Sequence, residues 1–479
     1  MKKKNDRSCE RILSILSFLI LVEGLVVLAS SESTYSAAYA QTVSWPTYLG
    51  SNARTGYNGA ETLINLQTAS NLKMLWMRAT QGAIDSQPVV TNDMVFWGGH
   101  DGFEHASSIT DGTDIWATDL GHSANNCTNR QHGITSTATV TTVQINGIST
   151  LVDFVAGDSA VFYALDANSG NILWQTPLGI ERNSYIYDSP AVYNGSVYIG
   201  LAALGQCPVS QGKMYQLDTS TGTIQNVYTD DIGNCTGGDI WGSPTIDETA
   251  GTLYFVTGDA FQSTCSNHGN QFDAIVELNA NDLSYIVSWQ IPRNQRTVDG
   301  DFGSTPTLFD ATINGVLHHM VGVPNKNGIY YAFDRFKISA GPLWQDNLAI
   351  GGADPPSGGG SISSSSWDGT TLYAAAGNTV INGVKCSGSI RALDPATGQF
   401  NWQVCLHASV LAALMTVPGL IVTVTNNSML FVLNSMNGNT LFKFHDGTGS
   451  KSHFWASPTI LNGELYEGNT DGNLYAFGP

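Results

Sequence analysis

The chain of 479 residues carries a formal net charge of −19, and only 12% of its residues are charged. This acidic balance argues against binding to nucleic acid or to an anionic membrane surface. The 51 glycines, together with many serines, threonines and asparagines, favour numerous tight turns and therefore many short strands.

The first 40 residues have the pattern of a secretory signal peptide. A basic start, "MKKKND", precedes an apolar run from Ile12 to Ala29, and Ala38-Tyr39-Ala40 supplies a cleavage site ahead of Gln41. The alternative is an uncleaved membrane anchor, but Glu23 interrupts the apolar run. We therefore predict export to the periplasm or the extracellular space, with residues 1–40 removed and 41–479 forming one domain.

A turn motif recurs along the rest of the chain. It consists of an acidic or small turn residue, glycine four positions later and tryptophan eight positions later, as in "ALDANSGNILWQ" and "ALDPATGQFNWQ". Copies that keep the full spacing are Ser108/Gly112/Trp116, Asp166/Gly170/Trp174 and Asp394/Gly398/Trp402. Variant copies have Asn226 or Phe442 in place of tryptophan, or two extra turn residues before Trp289 and Trp344.

The spacing of these copies predicts an all-β fold. They recur at intervals of roughly 40 to 60 residues, which is the period of a β-propeller with four strands in each blade. An eighth copy is split between the C-terminal "GNLYAFGP" and the N-terminal "ASNLKMLW", which ends at Trp76. We therefore predict an eight-bladed propeller of four-stranded antiparallel blades, closed by pairing of the two chain ends.

The recurring tryptophans are predicted to be structural. A turn glycine can adopt positive φ, and the following indole can cover the neighbouring blade. This interpretation applies to Trp76, Trp116, Trp174, Trp344 and Trp402.

Six cysteines follow the signal segment, an even number that favours disulfides in an exported protein. Cys386 and Cys405 lie at equal distances from the turn in "LDPATG", so they are predicted to face each other across a hairpin. Cys207–Cys235 is a weaker prediction of the same kind, and Cys127–Cys265 follows only by elimination. No C-x-x-C-H motif for covalent haem occurs in the sequence.

The eightfold repeat resembles the tryptophan-docking motif of pyrroloquinoline quinone (PQQ) dehydrogenases. Segments such as "SWPTYLGSNARTGYN", "WGSPTIDETAGTLYFVTGD" and "DGDFGSTPTLF" are most similar to the polyvinyl-alcohol-dehydrogenase-like branch. The resemblance implies oxidation of an alcohol, with PQQ and Ca²⁺ as cofactors. Because the sequence has no haem motif, electrons are expected to pass to a separate carrier.

The same resemblance assigns roles to individual residues. Asp301 in "DGDFGSTP" corresponds to the general base, and Lys326 in "NKNGIYYAFDR" to the lysine that contacts the quinone and the base. Trp241 corresponds to the floor on which the quinone stacks. Asp259 and Asp301 are the implied calcium ligands, and Arg130 is a candidate partner for a quinone carboxylate. The alternatives are a turn aspartate, a solvated turn lysine and an ordinary packing tryptophan.

The sequence also departs from the family pattern. Asp259 stands where the family has a calcium-binding asparagine, and Cys207 stands where some members have a calcium-binding glutamate, which a thiol cannot replace. The pair of adjacent cysteines found over the quinone in many members is missing. A non-catalytic propeller that binds protein or polysaccharide therefore remains the alternative function.

Overall fold

The computed structural model describes residues 44–124, 131–180, 183–203, 211–229, 237–260, 271–447 and 452–479. The chain divides into two units, Met1–Ala40 and Gln41–Pro479, and the first lies outside the described residues. The described helices are short 3₁₀ turns at Tyr48–Gly50, Ala69–Asn71, Asp158–Ala160, Arg293–Gln295, Ile338–Ala340 and Pro355–Ser357. Within these ranges, none of the helices has the length and apolar character needed to span a bilayer.

Eight antiparallel sheets form the blades of a propeller, which confirms the predicted fold. Blades 1 to 4 contain, in order, Val89–Thr91, Met94–Gly98, Phe103–Ser108 and Asp114–Asp119; Thr139–Ile145, Ile148–Ala156, Val161–Asp166 and Ile172–Pro177; Ala191–Tyr193, Ser196–Ala203, Lys213–Asp218 and Ile224–Thr229; and Thr245–Asp247, Thr252–Val256, Ala274–Asn279 and Tyr285–Gln290. Ser184–Tyr185 adds a short strand to blade 3.

Blades 5 to 8 contain Thr307–Ile313, Val316–Pro324, Ile329–Asp334 and Trp344–Asn347; Ser366–Trp367, Leu372–Ala376, Gly388–Leu393 and Phe400–Leu406; Met415–Val417, Leu420–Thr425, Met429–Asn434 and Thr440–His445; and Thr459–Leu461, Glu464–Gly468, Asn473–Gly478 and Lys73–Ala79. Two small hairpins, Ser123–Ala124 with Gln131–His132 and Thr379–Ile381 with Val384–Cys386, lie outside the blades. Buried apolar clusters fill the spaces between neighbouring sheets.

The two ends of the described chain close the ring. The N-terminal strand Lys73–Ala79 pairs antiparallel with the C-terminal strand Asn473–Gly478, and Lys73 lies opposite Gly478. The split eighth repeat is therefore confirmed. Because the N-terminal strand completes the eighth sheet, that sheet needs no partner from another chain.

The repeated tryptophans pack against the turn glycine of the next blade. A Cβ atom built on Gly170 would lie 2.7 Å from the Trp116 indole, and the corresponding contacts of Trp76, Trp174, Trp344 and Trp402 are equally close or nearly so. Each of these five indoles also donates a hydrogen bond of 2.8–3.0 Å to a backbone carbonyl of that turn. The structural role predicted for these tryptophans is confirmed.

A ring of hydrogen bonds surrounds the propeller axis at the start of each blade. Equivalent positions in the eight blades are Gln87, Thr137, Ser189, Ser243, Thr305, Ser364, Ala413 and Ser457. At six of the eight positions the backbone N–H donates to the hydroxyl in the next blade over 2.8–3.0 Å; the residues that follow Ser364 and Ser457 around the ring are Ala413 and Gln87, which have no hydroxyl. These bonds explain why the entry segments repeat serine or threonine next to proline, since each hydroxyl joins two blades.

The segment 45–58 crosses one end of the axis and contacts every blade. Its backbone pairs with the first strands of the blades, for example Trp45 with Val90 and Gly56 with Thr416. Arg54 is fully buried and donates hydrogen bonds to the carbonyls of Tyr48, Pro190 and Pro244. The guanidinium therefore joins backbone carbonyls from three separate segments of the chain.

The structure contains the predicted disulfide between Cys386 and Cys405, whose Cα atoms are 5.3 Å apart. The two cysteines do not face each other across the blade hairpin as predicted, because Cys405 lies opposite Ser389 in the strand ladder. Cys386 belongs instead to the small hairpin Thr379–Cys386. The bond thus attaches this hairpin to the outer strand of blade 6. Cys127, Cys207, Cys235 and Cys265 lie outside the described residues.

Candidate functional site

An axial cavity of about 160 Å³ lies next to the hydroxyl ring. Side chains alternate along an extended segment, so the residue two positions before each ring member also points toward the axis. The resulting layer contains Asp85, Thr135, Tyr187, Trp241, Gly303, Ile362, Leu411 and Trp455, one from each blade. Tyr48 from the crossing segment also lines the cavity. Eight distant segments thereby form one small chamber.

Trp241 lies against the backbone of the next blade within this layer. A Cβ atom on Gly303 would fall 2.0 Å from the Cη2 atom of Trp241, so only glycine leaves room for the indole. The Lys326 ammonium is 5.4 Å from the centre of the Trp241 ring. At this distance a cation interacts favourably with an aromatic face. Trp241 therefore connects the cavity to the charged groups beside it.

Lys326 forms a buried ion pair with Asp301. The Nζ atom lies 2.6 Å from Oδ2 of Asp301, and the two side chains are 9% and 7% exposed. Asp301 Oδ1 accepts a hydrogen bond of 2.7 Å from the backbone N–H of Asp259. The turn that carries Lys326 is held by Asn325, whose side chain donates to the carbonyl of Gly300 over 2.8 Å. Both partners are thus fixed before any ligand binds.

Three carboxylates form a candidate metal site around this lysine. One oxygen from each of Asp259, Asp299 and Asp301 lies within 4.8 Å of the other two. Asp299 is also 3.3 Å from Lys326 Nζ, and its Oδ1 atom is buried without a hydrogen-bond partner among the described residues. Hard oxygen donors of this kind suit Ca²⁺ or another hard cation.

The carboxylates beside Asp301 hold protons more tightly than usual. Burial, followed by the charges of Asp301 and Asp299, raises the pKa of Asp259 to about 7. Burial also raises the pKa of Asp239 to about 7, although the hydrogen bond from the Ala203 N–H lowers it. Burial lowers the pKa of Lys326, but Asp301 and Asp299 outweigh that effect, and the net shift is upward. The lysine therefore remains a cation among carboxylates that repel one another.

The structure brings Asp301, Lys326 and Asp259 together, and Lys326 joins this group to Trp241, the one of the four that lines the axial cavity. Arg130 and Cys207 lie outside the described residues. Sequence analysis missed Asp299 and Asp239, and also Asp85 and Trp455 in the cavity wall. Asp299 and Asp239 each precede a selected residue by two positions, but Asp299 lies in a turn with a φ of 51°, so strand alternation could not have placed it beside Asp301.

Comparisons with known proteins agree with this architecture. A family model described as outer membrane protein assembly factor BamB matches residues 328–479. A polyvinylalcohol dehydrogenase of Sphingopyxis sp. (strain 113P3) is 24% identical over 469 residues, which cover 82% of this chain and 68% of the relative.

Two solved structures have the same fold. The quinohemoprotein alcohol dehydrogenase from Comamonas testosteroni aligns with a TM-score of 0.71 at 17% identity, over 92% of this chain and 81% of its own. A europium-containing methanol dehydrogenase aligns with a TM-score of 0.71 at 15% identity, over 91% of this chain and 98% of its own. The resemblance to quinoprotein alcohol dehydrogenases and to the polyvinyl-alcohol-dehydrogenase-like branch is therefore confirmed.

Proposed function

We propose that this chain is an exported, quinoprotein-like dehydrogenase that oxidises an alcohol with PQQ and Ca²⁺. The observation that carries this proposal is the convergence of Trp241 from blade 4 with Asp301 and Lys326 from blade 5, next to the axial cavity that Trp241 lines. A chain that used the propeller only as a scaffold would have no need for a buried ion pair beside an aromatic face at the axis. Electrons would leave to a separate carrier outside this chain.

The residues present fit the cofactors. Trp241 offers a flat aromatic face held by Gly303, which suits a planar quinone. PQQ is a tricarboxylate and needs a nearby cation, which Lys326 supplies. Asp259, Asp299 and Asp301 supply carboxylate oxygens for a metal ion, with Asp299 adding a third carboxylate to the two implied by the resemblance.

Each side chain then has a distinct role in the reaction. If PQQ and a metal ion bind as proposed, the quinone would supply the acceptor for the hydride of the carbinol carbon, and the metal, held by Asp259, Asp299 and Asp301, would polarise that acceptor. Asp301 acts as the general base that takes the proton of the substrate hydroxyl. Lys326 orients this carboxylate through its contact with Oδ2, while the Asp259 N–H orients Oδ1. Trp241 excludes water from one side of the cavity.

The relatives support the proposed substrate class. The Sphingopyxis relative is a polyvinylalcohol dehydrogenase, so we propose that this chain oxidises a small or polymeric alcohol. Residues 1–40 are proposed to direct export to the periplasm or beyond the cell.

Reconstitution tests the proposal. Purified protein is titrated with PQQ in the presence of Ca²⁺ or Eu³⁺ while tryptophan fluorescence is recorded, and dye reduction is then followed with primary alcohols, secondary alcohols and polyvinyl alcohol. Asp301→Asn is expected to lower dye reduction by about a hundredfold or more while quinone uptake stays within a few-fold. Asp310→Asn is the matched control, since this carboxylate is 52% exposed and paired with His319.

The second candidate is a non-catalytic scaffold that binds protein or polysaccharide. The match of residues 328–479 to the assembly-factor family model favours it. Failure to take up PQQ at micromolar concentration, with either metal ion, would support this candidate and remove the first.

A further inference from the structure

At the junction between blades 3 and 4, asparagine replaces the docking tryptophan that five other junctions have. In blade 2, Trp174 packs on Gly222 and donates to the carbonyl of Thr219 over 3.0 Å. The equivalent position in blade 3 is Asn226. A groove of about 360 Å³, open to solvent, runs along this junction. The missing indole thus leaves space that a ligand could occupy.

The groove is lined by neutral polar side chains. Asn226 donates to the side-chain oxygen of Gln216 over 2.7 Å, and Gln216 in turn donates to Ser196 Oγ over 3.0 Å. Ser196 donates to the side chain of Gln225 over 2.8 Å. The exposed amide of Gln225 extends this network to the surface. The backbone carbonyl of Asn281 accepts from Gln216 over 3.2 Å, and the exposed side-chain amide of Asn281 donates to Asn279 over 3.0 Å. Among the described residues that line the groove, none carries a charge.

This chemistry restricts the ligand. A charged ligand would find no opposite charge here, although the chain as a whole is strongly acidic. An apolar ligand would cover amides and hydroxyls without giving them hydrogen bonds, which is unfavourable. A neutral ligand with many hydroxyl groups satisfies both donors and acceptors of the amides. An open groove, unlike a closed pocket, also allows a chain to enter and leave at its ends.

We infer that the groove between blades 3 and 4 binds a neutral polyhydroxylated chain. The groove and the candidate active site lie at opposite ends of the antiparallel sheets. Asn194 lies in the turn between the first and second strands of blade 3, and Asn281 lies in the turn between the third and fourth strands of blade 4. Lys326 lies in the turn between the second and third strands of blade 5, which is at the other end. The inference goes beyond the proposed function and does not depend on it.

Direct binding tests the inference without PQQ or metal. The full chain, produced in a bacterial host so that the Asn194-Gly195-Ser196 sequon stays unmodified, is titrated calorimetrically with short polyvinyl alcohol and with a linear maltooligosaccharide. Saturable binding of either probe is expected. Binding of one probe alone identifies a vinyl polyol or a polysaccharide as the source, and binding of both reflects the shared hydroxyl chemistry.

Three variants locate the binding. Asn226→Trp restores the repeat residue and fills the groove, and it is expected to weaken binding about tenfold or more. Asn281→Ala removes one exposed amide and is expected to weaken binding about threefold to tenfold. Asn168→Ala is the control, because it changes the same turn position in blade 2. Trp116 fills the junction between blades 1 and 2, so this variant is expected to leave binding unchanged.

Some results would overturn the inference. These are no saturable binding of either probe at millimolar concentration, or equal affinities of the Asn281→Ala and Asn168→Ala variants. Because Asn281 is exposed, its replacement keeps the test valid even if the Asn226→Trp variant folds poorly.

Discussion

The ammonium of Lys326 lies 2.6 Å from a carboxylate oxygen of Asp301, although the residues belong to different turns of the ring. Asp299 and Asp259 lie close to the same pair. One cation therefore offsets the repulsion among three carboxylates in a largely buried site. Removing Lys326 leaves these carboxylates without their nearby cation, which costs more than the net worth of the pair.

Replacing Lys326 by methionine should destabilise the protein strongly. The expected loss is about 3–5 kcal/mol in the free energy of unfolding, measured by urea denaturation without ligands. Lys337→Met is the control, because Lys337 is 71% exposed and lies 4.0 Å from Asp334. Similar losses in the two variants would show that the buried pair contributes little. Added Ca²⁺ should restore part of the stability of the Lys326 variant.

The buried carboxylates of Glu104 and Asp153 predict a pH-dependent stability. Both side chains are fully buried, and their oxygens have no hydrogen-bond partner among the described residues. Burial raises the pKa of Asp153 to about 8. Burial and the charges of Asp153 and Asp101 raise the pKa of Glu104. Because the folded pKa of Asp153 exceeds its unfolded value, the associated stability is present in acid and is lost between about pH 4 and pH 8.

Thermal unfolding of wild type and Asp153→Asn across this range checks the sign. The variant cannot ionise at this position, so its melting temperature should fall less as the pH rises, and it should exceed the wild type at pH 8. Asp111→Asn, at an exposed turn in blade 1, should keep the wild-type pH dependence. A steeper fall in the Asp153 variant would contradict the assignment.

Two glycines separate the effect of tryptophan docking from that of backbone conformation. Gly147 and Gly170 both have positive φ, 78° and 72°, but a Cβ atom on Gly147 meets nothing within 4 Å. Gly147→Ala should cost about 1 kcal/mol through φ alone. Gly170→Ala should cost about 1–3 kcal/mol more, since its methyl would collide with Trp116. Chemical denaturation measures both. Equal losses would mean that the indole moves aside without cost.

Removal of the Cys386–Cys405 disulfide should lower the free energy of unfolding by about 3 kcal/mol, the usual value for a closed loop of this length. The sequence separation is 19 residues. The comparison is between wild type and the Cys386→Ala/Cys405→Ala double variant under oxidising conditions. The double variant should also lose protease resistance first in the hairpin Thr379–Cys386, since the bond attaches this hairpin to blade 6. Cleavage that begins elsewhere would contradict that role.

The sequence by itself determined the number of blades, the closure of the ring and the role of the docking tryptophans. These features depend on patterns inside one repeat, such as Gly170 four residues before Trp174, or on the relation of one repeat to the next. The strand that ends near Gly478 lacks a fourth neighbour within its own repeat, and the strand around Trp76 supplies it. Local patterns of this kind can be found in the sequence without coordinates.

Only the tertiary structure decided which side chains meet at the axis. Asp299, Asp239, Asp85 and Trp455 have no distinctive local motif. Asp85 and Trp455 meet because entry segments of different blades line one cavity, and Asp299 and Asp239 lie near Asp301. The ladder register also decided that Cys405 lies opposite Ser389 while its disulfide partner belongs to a separate hairpin. The physical reason is that contacts between distant segments depend on the ring geometry, which no single repeat contains.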